Sequence, residues 1–60
     1  MFRVTFTHSY YVHLNFIYTL QASDEVRAVK LAAGNLESDL EALGLNHRFI
    51  DYRFIVKAVK

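Results

Sequence analysis

Residues 22–45 read ASDEVRAVKLAAGNLESDLEALGL, and this stretch decides the fold. Ala22, Val26, Val29, Ala33, Leu36, Leu40 and Leu43 recur at alternating steps of four and three. That spacing lays one apolar stripe along an α-helix and predicts a helix over about residues 24–43. Ser23 is expected as N-cap, its hydroxyl accepting from free amides of the first turn. Asp24 and Glu25 suit the positive end of the helix dipole. Gly44 is placed to take the left-handed conformation that ends a helix, with Leu45 folding back on the last turn.

Everything on either side alternates with period two. Phe2, Val4 and Phe6 interleave with Arg3, Thr5 and Thr7, predicting a half-buried strand over about residues 2–7. Val12, Leu14, Phe16, Tyr18 and Leu20 interleave with Tyr11, His13, Asn15, Ile17 and Thr19, predicting a second strand over 11–20. His8, Ser9 and Tyr10 lie between them, so a hairpin follows. Its two apolar sets must share a face, so paired positions must sum to an even number. That parity demands an odd loop or a bulge. Without Gly or Asn at position 10, five residues or a bulge fit better than three.

Beyond the helix, Asn46, His47 and Arg48 form a short polar link. A third strand is expected over 49–59. Its charges Asp51, Arg53 and Lys57 look outward, and Ile50, Tyr52, Phe54, Val56 and Ala58 face the helix. Phe16, Phe54 and Leu36 are therefore expected to be almost fully buried. The crossover through the helix makes the third strand parallel to the second. Placing it beside the first makes every neighbouring pair antiparallel, which suits a sheet with one face open. The expected fold is α+β: a two-layer sandwich of order ββαβ, one long helix on a three-stranded antiparallel sheet of order 2-1-3.

Sixty residues are read as a single domain, and a chain this short has a thin stability margin. There is no cysteine, which excludes disulfides and thiolate metal sites. Residues 21–45 carry five acids and two bases, a balance of −3. The flanks carry five bases and one acid, a balance of +4, so the net +1 is unevenly divided. No apolar run approaches the ~20 residues that span a bilayer, and no contact with a membrane is expected. The first six residues alternate like a strand rather than a signal peptide. A cytoplasmic protein is expected.

No catalytic motif is present. His8 in the hairpin loop, His13 on the outer sheet face and His47 after the helix have no paired nucleophile, and each reads as a solvated surface side chain. Glu37 and Glu41, one turn apart, read as the wet face of an acidic helix. The two glycines stand alone, without a phosphate loop or dinucleotide fingerprint. The expectation is a non-enzymatic protein with no catalytic, cofactor-binding or metal residues.

The chemistry left is that of surfaces. Arg3, Tyr11, His13, Asn15, Ile17, Phe49, Arg53, Ile55 and Lys57 compose the candidate interaction surface on the outer sheet face. Such a face serves either of two classes. One is an interaction protein that docks on itself, as a homodimer, or on another protein. The alternative is a nucleic-acid-binding module, using cations for phosphate and aromatic side chains for bases. The dimer is favoured because the second strand, between Tyr11 and Leu20, contains no proline and no Asp, Glu, Lys or Arg to protect an open edge.

The run from Leu20 to Ala32 takes a strand into Ala-Ser-Asp-Glu-x-x-Ala-x-x-Leu-Ala. It resembles small orphan proteins encoded by tailed bacteriophages. The resemblance implies a phage source, hence the cytoplasm of a host cell, and carries over no functional residue.

Overall fold

In a computed structural model, which describes residues 1–59, the helix α1 spans Glu25–Ala42. Asp24, not Ser23, is its N-cap: the Asp24 carboxylate accepts from the Arg27 amide at 2.9 Å. Both residues have the right oxygen, but the carboxylate makes the stronger, charge-assisted bond and meets the helix dipole directly. The other end closes as the glycine implies. Gly44 sits at φ 72°, its amide donates to the Glu41 carbonyl at 3.0 Å, and the Leu45 amide reaches back to Leu40 at 2.9 Å. These two bonds are the Schellman motif.

Three strands pair in the order β2-β1-β3, with β1 at Phe2–His8, β2 at Asn15–Leu20 and β3 at Tyr52–Ala58. Both pairings are antiparallel. Phe6 lies opposite Phe16, and Thr5 opposite Ile17; both pairs sum to 22, as parity requires. The His8 amide donates to the Leu14 carbonyl at 3.1 Å, which extends that register one pair further. The loop inside it is Ser9–His13, five residues.

Two strands are shorter than their alternation suggests. β2 starts at Asn15 rather than Tyr11, because a turn closes between the Tyr11 carbonyl and the Leu14 amide at 2.9 Å. β3 starts at Tyr52 rather than residue 49, since Phe49–Asp51 form a turn of 3₁₀ helix. There the Asp51 carboxylate takes the Arg48 amide at 2.8 Å, and the Asp51 amide returns to the Arg48 carbonyl at 2.9 Å. In the second case a local side-chain bond outcompetes the extended backbone.

The core is one layer between α1 and the sheet: Val4, Phe6, Ala28, Ala32, Leu36, Leu40 and Tyr52. Its helical members step by four from Ala28 to Leu40. The seven-residue stripe read from the sequence is therefore rotated: Val29 and Ala33 are half-buried, while Val26 and Leu43 are 67% and 63% exposed. The reason is size. Phe6 fills the space above the central strand, and the alanine methyls are what fit over it at close approach. Even-numbered residues of β3 do face the helix layer, with Phe54 opposite Phe6 and the two rings 6.2 Å apart. Yet Phe54 is 47% exposed and Phe16 only half-buried. Neither is sealed as expected, because one helix is narrower than three strands.

Truncating Leu36 to Ala should cost about 2–5 kcal/mol. Val26→Ala, at an exposed helical site, should change stability by less than about 0.5 kcal/mol. Urea denaturation measures both, and equal losses would mean that the helix is rotated towards the seven-residue stripe.

Candidate interaction surface

The face of the sheet away from α1 is a grid of nine side chains fixed by the register. Asn15, Thr7 and Arg53 form one row, Ile17, Thr5 and Ile55 the middle row, and Thr19, Arg3 and Lys57 the third. Three are cations and none is a carboxylate. Ile17 and Ile55 are 61% and 63% exposed. With Arg3, Thr5 and Lys57 they line a shallow groove of about 280 Å³. At the far end the Thr7 hydroxyl donates to the Asn15 side-chain carbonyl at 2.8 Å.

The sheet's edges follow from which backbone groups are already used. His8 donates to Leu14, so even-numbered residues of β1 point to β2. The Val59 amide donates to the Met1 carbonyl at 2.8 Å and the Ser9 amide to the Asp51 carbonyl at 3.0 Å, so odd-numbered residues point to β3. Alternation along a strand then sends the amides and carbonyls of Asn15, Ile17 and Thr19 out of the free edge of β2. It sends those of Phe54 and Val56 out of the free edge of β3.

A cluster of rings closes the end of the core. His8 has the parity of Phe6 and is buried at the end of β1, not solvated in a loop. That parity is the signal that the sequence reading passed over. The His8 Nδ1 accepts from both the Tyr10 and Tyr11 amides at 2.9 Å, so the ring carries its proton on Nε2. The half-buried His47 packs against it with ring centres 4.5 Å apart and stacks on Tyr11 at 5.9 Å. Its Nδ1 lies 3.2 Å from the Tyr52 hydroxyl. The ring contacts of His47 with His8 and Tyr11 hold the hairpin loop to the link after the helix.

Of the residues read as an interaction surface, Arg3, Ile17, Ile55 and Lys57 come together in the groove, with Asn15 and Arg53 beside it. Tyr11 and His13 do not join them, since both lie in the hairpin loop ahead of β2 and Tyr11 packs on the histidines. Phe49 is also elsewhere: it packs against the core, and its amide donates to Glu37 at 3.3 Å. The outer face therefore lacks the aromatic ends that alternation alone assigned to it. Among the described residues no group of three or more His, Cys, Asp or Glu is placed to hold a metal ion, and no helix is long and apolar enough to cross a membrane.

Comparison of the chain with protein-family models, with curated proteins and with solved structures finds no match.

One polar contact ties β2 to the helix. The Tyr18 hydroxyl donates to Asp39 at 2.6 Å. Burial, then the hydrogen bond to Asp39 and that carboxylate's charge, hold the Tyr18 phenol well above the usual tyrosine range. Tyr52 is raised too, by burial and then by Asp51. In both cases the folded state favours the protonated ring. Stability from this source is complete below about pH 10, where free tyrosine ionises, and is lost as pH rises beyond it. Tyr18→Phe should flatten that alkaline loss. Denaturation midpoints at pH 8 and 11 measure it, and an unchanged slope would refute the assignment. His8→Ala should cost about 1–3 kcal/mol by freeing two amides and opening a cavity, read by the same denaturation.

Proposed function

We propose that the chain is a non-enzymatic interaction module that works as a homodimer, two copies joining through the β2 edges. The observation that carries this reading is the neutrality of that edge. Asn15–Leu20 presents its outward backbone groups with no charge and no proline to deter pairing. A two-fold axis at Ile17 sets Ile17 opposite its own copy and Asn15 opposite Thr19. The product is a six-stranded sheet with matching contacts on both sides. Phe16 then lies beside Tyr18 of the second copy on the helix side, where both are half-buried in the single chain.

Two other symmetric arrangements are opposed by charge. Pairing β3 with itself about Ile55 sets Arg53 opposite Lys57, a like-charge pair that destabilises a sheet. Stacking the outer faces brings Arg3, Arg53 and Lys57 of both copies together without a carboxylate among them. A 60-residue chain also gains from burial that a partner supplies.

A second reading rests on the same carboxylate-free face, whose three cations suit nucleic-acid phosphates. The face offers no aromatic platform for bases, and the protein reading is preferred. Retention on single-stranded DNA that falls steeply with salt would reverse that preference.

Light scattering behind a sizing column should give twice the mass of the chain at micromolar concentration. Ile17→Lys places like charges opposite each other at the axis and should yield a monomer. Ile55→Lys, equally exposed but on the other edge, should leave the dimer intact. Loss of the dimer in both variants would indicate stacked faces, and a wild-type monomer would refute the proposal outright.

A further inference from the structure

The free edge of β3 differs in kind from that of β2. Its outward backbone groups belong to Phe54 and Val56, whose side chains point to the helix layer. There the first two turns of α1 stop short of covering them. Val26 and Val29 form the facing wall of an apolar groove of about 410 Å³, with Glu25 and Lys30 at its rim. Phe54 and Val26 thus leave large apolar surface in water side by side. On the opposite face the same edge carries Arg53 and Lys57 with Ile55 between them.

We propose that this edge is a peptide-binding site, which takes an extended segment of a partner protein with the pattern acid–apolar–β-branched–apolar–acid. The segment adds as a fourth strand, its backbone bonding to the amides and carbonyls of Phe54 and Val56. An added strand lies about 4.8 Å beyond β3. Its two apolar side chains then sit beside Phe54 and Val56, against Val26 and within the groove. Period-two alternation sends its other three to the outer face. The two acids lie next to Arg53 and Lys57, and the central residue lies next to Ile55. The pattern reads the same in both directions, so it holds for parallel and antiparallel addition.

Charge selects a foreign segment over a second copy. None of β1, β2 and β3 contains Asp or Glu, so no strand of this chain supplies the acids. The inference does not depend on the dimer, whose edge lies on the other side of the sheet.

The test titrates the peptide Ser-Glu-Val-Thr-Val-Glu-Ser, blocked at both ends, into ¹⁵N-labelled protein. Saturable shifts are expected at the Phe54 and Val56 amides. A peptide with Lys for both Glu should bind about tenfold more weakly, the sum of two reversed cross-strand charge pairs. In the double variant Arg53→Glu with Lys57→Glu, whose sites are exposed, that preference should invert. A third peptide with Asn for both Val should lose binding about tenfold, because it leaves the groove unfilled. The proposal is overturned by shifts confined to β2 or to the outer face. It is equally overturned by unsaturable shifts, by a charge preference that the double variant leaves unchanged, or by equal affinity for the Asn peptide.

Discussion

One helix has to cover three strands, and it is not wide enough. An α-helix with its side chains is about 10–12 Å across, whereas three strands at about 4.8 Å spacing with their flanks are wider. The chain resolves the mismatch by sealing the centre. Val4 and Phe6 on β1 have no exposed surface, nor have Ala28, Ala32 and Leu36 above them. What is left over falls on the flanks: Phe16 and Tyr18 half-buried on β2, Phe54 and Val56 against an open groove on β3. Tyr18 is tied to Asp39, so the β2 flank has a polar clasp. The β3 flank has Val26 and Val29 above it, with Glu25 and Lys30 at the rim. The apolar groove beside β3 is a consequence of that incomplete cover.

The small residues of the helix matter as much as the large ones. Leucine at positions 28 or 32 would hold α1 further from Phe6 and tilt its apolar face. Alanine there brings the helix down and turns Val26 and Leu43 out to solvent. A stripe read from hydrophobicity alone ranks Val26 above Ala28, because transfer free energy grows with apolar area. Packing reverses the order, since the available space decides which side chain is enclosed.

This explains what was legible in the sequence and what was not. The element order, the 2-1-3 sheet, the even-sum register and the glycine closure all follow from rules with few alternatives: period-two parity, crossover handedness and the left-handed glycine. Errors came where two local solutions of similar energy compete. Ser23 and Asp24 both cap well. Residues 49–51 alternate like a strand, yet the Asp51 carboxylate and the Arg48 amide make a tighter turn. Tyr11 and His13 alternate too, yet His8 gathers the Tyr10 and Tyr11 amides first. The outer grid of Arg3, Thr5, Ile17, Ile55 and Lys57 was legible because it depends only on parity. Tyr11 and Phe49 were misplaced because they depend on where a strand begins. The β3 groove was not legible at all, because its wall is set by the helix rotation.

Parity also gives the two edges their different characters. On β2 the outward-facing positions hold Asn15, Ile17 and Thr19, and on β3 they hold Arg53, Ile55 and Lys57. A two-fold axis presents each edge with its own image, so a neutral edge tolerates itself while a doubly charged one is repelled. A foreign strand carries no such constraint and has only to match what it meets. Under the proposed pairing the neutral edges are consumed by the dimer, and each copy keeps its cationic edge free at opposite ends of one continuous sheet. The same three positions on each strand then decide both self-association and what else the sheet accepts. A single charge placed on β2 would therefore change the assembly without touching the groove beneath β3.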